Sequence, residues 1–267
     1  MFPVSQRINA ERALLLAWPR AILLQLAHPL VAAGVADHSA FRAGPLTAAQ
    51  RLRATVRAML ALTFEDDASR ARTIAGIQAI HRRVRGTLHE SVGTFPAGTP
   101  YSAEDPALVL WVHATIVESM VAGHEALIGP VDGRDRDAYC AEARPVALDL
   151  GAVPGDVPDS WRALVAYVER VRRSGTLGVG CAASEVARAV MFPPPGALIW
   201  PLARASRLIT AGLLPGDVRD LYGYEWAARH AARFDRSTAL VRRVRRHLPD
   251  RIALWASARA VRRAAAA

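Results

Sequence analysis

Eight histidines are the residues of this chain whose type and placement best suit chemistry, and His81 is the leading candidate. Residues 51–86 predict two helices joined by a short acidic turn. Along the second helix, Ile74, Ile77, His81 and Val84 recur at helical spacing, which predicts a core position for His81. Because an unpaired buried polar group is costly, this imidazole needs a partner: a backbone carbonyl, a water or a metal.

The spacing of the metal-ligating residues excludes the common zinc and di-iron sites. HExxH and other paired histidine spacings do not occur, and Glu118 and Glu142 lack the histidine three residues on that a di-iron bundle needs. Haem iron, in contrast, needs one proximal imidazole in an apolar pocket. His81 suits that role, and Arg51 offers a cation for the haem propionates. The alternative from spacing alone is a hydrogen-bonded structural histidine.

Four further residues are candidates, each with a structural alternative. Thr55 shares a helical face with Arg51, although its hydroxyl can bond back to its own helix. His113 is either a distal pocket residue or a hydrogen-bonded core residue, and His38 is either a donor or base or part of a turn. His28 is a candidate cofactor-binding residue, or it caps or bends a helix next to a proline.

The composition predicts a folded chain and disfavours nucleic acid as its partner. Of the 267 residues, 52% are hydrophobic and 22% charged, and the net charge is +10 with arginine as the only basic residue besides histidine. The arginines are spread along the predicted helices, the one dense run being 241–246, and aromatic residues make up only 6%. Nucleic-acid grooves usually interleave basic and stacking residues, so specific nucleic-acid binding is not expected.

The predicted compartment is the cytoplasm. Cys140 and Cys181 lie outside any CxxC pattern, which excludes a zinc framework and favours reduced thiols, with a disulfide left open. Charged residues and Pro19 interrupt the apolar N-terminal region, unlike a signal peptide. The apolar run 21–36 is shorter than the roughly 20 residues that span a bilayer. It predicts a buried helix, with contact to a membrane surface as the alternative.

The helix signals predict one all-α domain over residues 1–267, a helical bundle. Asp66 or Asp67, Asp105 before Pro106, and Ser160 are N-cap signals, and Gly86 is expected just beyond a helix end. Residues 87–103 predict a loop, and a further helix is expected to begin at Ser184. The other predicted helices cover residues 21–35, 46–64, 106–128, 135–150 and 201–212, with another beginning at Pro215.

Seven short motifs occur in an order that resembles a known family. Together they are similar to the catalytic-domain family of MpaB oxygenase and latex-clearing protein, a rubber oxygenase. The resemblance covers nearly the whole chain and is strongest over residues 25–150. The motifs are LeuGlnLeuAlaHisPro, AspHisSer, ArgLeuArgAlaThr, IleHisArgArgValArgGly, TyrSerAlaGluAspPro, TrpValHisAlaThr and LeuTyrGlyTyrGluTrp.

The resemblance implies an all-α fold with a globin-like core and a b-type haem. It implies His81 as the proximal iron ligand. The family has an Arg-x-x-Lys-Thr motif. The matching residues here are Arg51, Ala54 and Thr55, so alanine stands at the position of the lysine. Because alanine replaces the lysine, the resemblance implies haem and dioxygen chemistry without rubber cleavage. The chain looks like the short bacterial branch of the family.

The function predicted from the sequence is a haem b-dependent oxygenase that takes dioxygen and a hydrophobic unsaturated small molecule. Arg51 and Thr55 are expected to hold the propionates or polarise oxygen, with His113 or His38 as donor or base. Aliphatic residues around Leu26, Leu62, Ile77 and Val117 are expected to line the pocket. The alternatives are a non-catalytic haem-binding module for storage or sensing, and a helical scaffold without cofactor.

Overall fold

A computed structural model describes residues 3–38, 45–192 and 200–265, and the side chains of all of these except 45–52 and 200–202. This part of the chain folds into fourteen α-helices, one 3-10 helix and one two-stranded sheet. The all-α prediction is therefore confirmed.

The first helices are α1 (Val4–Asn9), a 3-10 helix (Arg12–Leu16), α2 (Trp18–Leu26), α3 (Pro29–His38), α4 (Pro45–Phe64) and α5 (Asp67–His81). The antiparallel strands β1 (Arg85–Thr87) and β2 (Pro100–Ser102) follow. The remaining helices are α6 (Pro106–Leu127), α7 (Gly133–Asp149), α8 (Trp161–Arg173), α9 (Cys181–Met191), α10 (Trp200–Leu213), α11 (Gly216–Leu221), α12 (Ala228–His247), α13 (Asp250–Ala253) and α14 (Ala256–Ala264).

Helix α6 forms the centre of the fold. Asp105 caps it by accepting a hydrogen bond from the backbone N–H of Ala107, as the sequence predicts. Trp111, Val117, Met120 and other apolar side chains of α6 pack into the main core with α2, α7 and α8. This helix is long and apolar enough to cross a membrane, but 61% of its most apolar window is buried inside the fold. Its hydropathy is therefore that of a core helix.

The single helix predicted over residues 21–35 is wrong. Two helices, α2 and α3, meet there at an angle of 106°. Pro29 explains the break, because its ring disfavours a helical conformation at His28 and it has no N–H to continue the ladder. The backbone N–H of Gly178 donates to the carbonyl of Ala27 at the break, at 2.8 Å. Pro19 lies in the first turn of α2, where proline is tolerated, and does not kink it.

Three smaller predictions are also corrected. Helix α5 begins at its predicted cap, Asp66, but ends at His81, so Gly86 lies in β1 and not at a helix terminus. Residues 87–103 contain β2 rather than loop alone. Helix α9 begins at Cys181, before the predicted Ser184.

The two ends of the described chain are joined by an ion pair. Arg245 in α12 makes a bidentate contact with the buried Glu11, at 2.5 and 2.7 Å. Close by, Glu11 forms a β-bridge with Leu254, and the backbone N–H of Trp255 donates to the carbonyl of Ala10. The C-terminal helices are therefore fixed against the N-terminal segment. Cys140 is buried and Cys181 exposed, and both are free thiols.

Candidate functional site

Three of the predicted histidines, His28, His38 and His81, lie around the segment that joins α5 to α6 through the β1–β2 hairpin. A ring nitrogen of His38, Nε2, is 3.0 Å from the backbone carbonyl of Arg85 in β1. The His28 ring is 5.5 Å from the ring of Phe95. His81 is the last residue of α5 and precedes β1 by only a few residues. The hairpin thus brings together residues that are far apart in the sequence.

A tyrosine and an aspartate fix the hairpin to the end of α3. Tyr101 in β2 donates its hydroxyl hydrogen bond to Asp37, at 2.6 Å, and Nε2 of His89 lies 3.3 Å from the same carboxylate oxygen. Burial, with Asp37 beside it, raises the pKa of Tyr101 well above its usual range. Sequence motifs did not predict this group, although Asp37 and Tyr101 stand in two of the seven motifs.

His28 is buried in the break between α2 and α3. It is 7% exposed, and its Nδ1 has no hydrogen-bond partner among the described residues. Burial lowers the pKa of His28 to about 4, against the opposing effect of Asp105. The imidazole is therefore uncharged at neutral pH, with one nitrogen unsatisfied.

His81 is half-buried at the C-terminal end of α5. Burial lowers its pKa below the usual value, with Glu104 acting in the opposite direction. Its predicted core position is only partly correct: Ile74 is buried, but Ile80 is 61% exposed. Helix α5 packs on α4, and hydrogen bonds from Arg70 and Gln78 to Asp149 hold it to the end of α7. His81 therefore lies at the edge of the helical body.

His113 lies on α6, apart from the hairpin histidines. Burial lowers its pKa to about 4, so it is also uncharged at neutral pH. In the described part of the chain, no hydrogen bond or ring contact joins it to His28, His38 or His81. The described contacts link His28 and His38 to the hairpin, whereas His81 adjoins it in sequence and His113 lies on the helix that follows it.

The other predicted site residues are placed less completely. Arg51 belongs to α4, but its side chain lies outside the described residues. Thr55 is on the exposed side of α4, with Ala54 beside it. The expected common wall of aliphatic side chains is not found: Leu26 packs in a cluster with α9, whereas Val117 belongs to the main core. The reason is that α9 packs against both α2 and α3, and Leu26 is part of that contact.

The donor chemistry around His81 fits a haem. An axial imidazole must be uncharged to offer its lone pair, and the lowered pKa of His81 provides that at neutral pH. Arg82 and Arg83 are exposed next to it and are suited in charge to propionates. The described residues contain no group of three or more His, Cys, Asp or Glu that could hold a metal ion. Haem needs only one such ligand.

Comparison with known proteins identifies the family. The model of a family described as ER-bound oxygenase mpaB/B'/rubber oxygenase, catalytic domain, matches residues 6–243. The chain belongs to this family. It is also 28% identical over 242 residues to an uncharacterized protein of Mycobacterium bovis and to one of Mycobacterium tuberculosis, covering 86% of this chain and 88% of each relative. No solved structure matches.

Membership of the MpaB and rubber oxygenase family confirms the resemblance seen in the motifs and supports an oxygenase, hence an oxidoreductase. The family match extends from α1 into α12, so it covers every candidate site residue. The globin-like arrangement of the core stays a prediction.

Proposed function

We propose that this chain is a haem b-dependent oxygenase that acts on a hydrophobic, unsaturated small molecule. The observation that carries the proposal is the uncharged, half-buried imidazole of His81 within a motif of an oxygenase family. When bound, haem b supplies the redox-active iron needed for chemistry with dioxygen. His81, the last residue of α5, would hold that iron.

The other candidate residues would bind the cofactor, position the hairpin or exchange protons. Arg51 and Thr55 on α4 would bind the haem propionates or orient the dioxygen substrate. His113, uncharged at neutral pH, offers both an N–H donor and an acceptor nitrogen, so it is the preferred proton-handling residue. His38 is engaged with the Arg85 carbonyl and therefore positions the hairpin. His28 offers an unsatisfied Nδ1 to a cofactor or a bound water.

The apolar surroundings of the hairpin support a lipophilic substrate. Leu30, Leu88 and Tyr101 are buried together, with Val84 and Phe95 packed against them. A lipophilic substrate bound against these side chains would gain about 25 cal/mol per Å² of apolar area buried, whereas a sugar or nucleotide would find few donors there. Ala54, where the rubber oxygenases have lysine, disfavours long polymers. The proposed compartment is the cytoplasm, in agreement with two free thiols.

The absorption spectrum of the purified protein is the first test. A strong Soret band, present as isolated or after reconstitution with haem, is expected. The reduced holoprotein is then incubated with short unsaturated lipids under labelled oxygen gas, and label is expected in carbonyl products. A chain that takes up no haem contradicts the cofactor. A coloured protein whose products form equally without oxygen, or by hydrolysis, contradicts the oxygenase; one that forms no product is a binding module.

The role of Arg51 is tested against its neighbour Arg53. The two side chains point roughly 200° apart at about 100° per residue, and Arg53 is exposed. Arg51→Ala is therefore expected to weaken haem retention or oxygen binding more than Arg53→Ala does. Both are measured by haem transfer to an apo-globin acceptor and by oxygen titration. Equal effects of the two substitutions contradict the proposed face of α4.

A further inference from the structure

The outward side of α12 carries arginines and aliphatic residues on a single face. We name this the basic face: Arg229, Arg233, Arg236, Leu240, Arg243, Val244 and Arg246. All seven side chains are exposed, and their spacing confines them to less than half of the helix circumference. Leu240 is 61% and Val244 47% exposed, which is unusual for aliphatic side chains on an otherwise charged helix.

The opposite side of α12 fixes this orientation. Thr238 is buried, and Val241 packs against the cluster that contains Leu127 and Ile209. Arg245 is held by the buried Glu11. Helix α12 therefore cannot rotate its arginines inward without losing these contacts, and the basic face stays directed outward.

The positive charge of the protein is concentrated in this C-terminal region. Residues 228–265 contain eleven arginines but only two acidic residues, Asp235 and Asp250, a net charge of +9 out of +10 for the whole chain. In the described part of the chain, the five arginines of the basic face form no ion pair with a carboxylate. Their charge is available to a partner.

We infer that the basic face of α12 docks this protein onto an anionic lipid bilayer. Arginines attract anionic headgroups, while Leu240 and Val244 enter the boundary between headgroups and acyl chains. A nucleic acid is the weaker candidate, because the basic face holds no aromatic residue for base stacking. Its charge and exposed aliphatic residues together fit an interface that is both anionic and apolar.

Docking is independent of the proposed chemistry. The basic face extends past residue 243, where the family match ends, and none of its residues belongs to the candidate site. The bilayer is also where a lipophilic substrate would be dissolved. The two proposals fail separately, since vesicle binding is measured without haem or turnover.

The test measures co-sedimentation of the full chain with vesicles of phosphatidylcholine alone or mixed with phosphatidylserine. Binding is expected only with phosphatidylserine and is expected to weaken with salt. The triple variant Arg229→Gln, Arg236→Gln, Arg243→Gln is expected to bind on the order of 100-fold more weakly, at about fivefold per arginine. The matched control, Arg134→Gln, Arg162→Gln, Arg188→Gln, removes the same charge from exposed positions on α7, α8 and α9. It should bind like the unmodified chain.

A second variant separates charge from apolar insertion. Leu240→Ser with Val244→Ser keeps every arginine and is expected to lower vesicle affinity roughly tenfold, with the salt dependence unchanged. Circular dichroism confirms that each variant is folded. Equal loss in the matched control, equal binding to phosphatidylcholine alone, or tighter binding to duplex DNA than to the anionic vesicles overturns the inference.

Discussion

Burial keeps the side chains of His28, His81 and His113 uncharged at neutral pH, and this determines what they can do. Burial lowers the pKa of His28 and of His113 to about 4, and that of His81 below its usual value. An uncharged imidazole can ligate iron or accept a proton, whereas a protonated one can do neither. The candidate chemistry at neutral pH therefore follows from the burial of these side chains.

His81→Ala is expected to lose haem while keeping most of its helical signal. The chain has no Cys-x-x-Cys-His motif for thioether attachment, so ligation by an imidazole is the available tether. The Soret absorbance and the far-ultraviolet circular dichroism are compared with those of His247→Ala, an exposed control on α12. Retention of full haem by His81→Ala places the ligand elsewhere, with His113 the next residue to test.

The buried histidines also predict how stability depends on pH. Folded His28 and His113 stay unprotonated down to about pH 4, whereas the unfolded chain protonates them near pH 6.5. The stability that these uncharged histidines contribute to the folded state is present above about pH 6.5 and is lost as the pH falls toward 4. Between pH 7 and pH 5, each is expected to remove about 2 kcal/mol from the free energy of unfolding.

Urea unfolding at the two pH values checks this dependence. His28→Asn and His113→Leu should each lose less stability on acidification than the unmodified chain does. The exposed control His247→Asn should follow the unmodified chain. A His113→Leu variant with the pH slope of the unmodified chain would show that this site does not carry the effect.

At the scale of the elements, the β1–β2 hairpin connects α5, which carries His81, to α3. A Cβ on Gly86 would lie 2.5 Å from the hydroxyl oxygen of Tyr101, whose hydrogen bond to Asp37 fixes the hairpin. The phenol ring of Tyr101 therefore leaves no room at this strand position for any residue with a Cβ atom. The requirement is steric and not conformational, since Gly86 has no positive φ.

Gly86→Ala is expected to lower the free energy of unfolding by about 1–3 kcal/mol, because the added methyl displaces Tyr101. Gly76→Ala is the matched control, since its Cβ would meet nothing within 4 Å and it lies inside α5. That substitution should stabilise the chain by roughly 0.5–1 kcal/mol through helix propensity. Urea unfolding of both variants measures the difference; equal stability would remove the steric argument.

At the scale of the whole molecule, the contact between Glu11 and Arg245 closes the fold. These residues are 234 positions apart, and the Glu11 side chain is 6% exposed. This contact raises the pKa of Arg245, so its guanidinium stays charged. It orients α12 and, with it, the basic face.

Arg245→Met is expected to cost about 3 kcal/mol of unfolding free energy, because it leaves a buried carboxylate without its partner. Adding Glu11→Leu should recover much of that loss, since the unpaired charge is then removed as well. Arg246→Met, on the exposed side of the same helix, should change stability by less than about 0.5 kcal/mol. Chemical denaturation of the unmodified chain, Arg245→Met, Glu11→Leu and the double variant forms the cycle, with Arg246→Met as the control. A double variant no more stable than Arg245→Met contradicts the expectation.

The sequence by itself determined the class of the fold and the family. Helix caps such as Asp66, Asp105 and Ser160 were predictable because capping depends on residues only two or three positions apart. The family motifs were recognisable for the same reason, being short stretches in a fixed order. His81 was identified as a candidate from helical spacing within one segment.

Only the tertiary structure decided which distant residues meet. The pairs Tyr101 with Asp37 and Arg245 with Glu11 join residues 64 and 234 positions apart, and no local pattern specifies them. Leu26 packs with α9, and Ile80 on α5 is exposed, although helical spacing alone predicts neither. Side-chain burial depends on how whole elements pack, so the pKa values of the histidines and the outward direction of the basic face were set at that level.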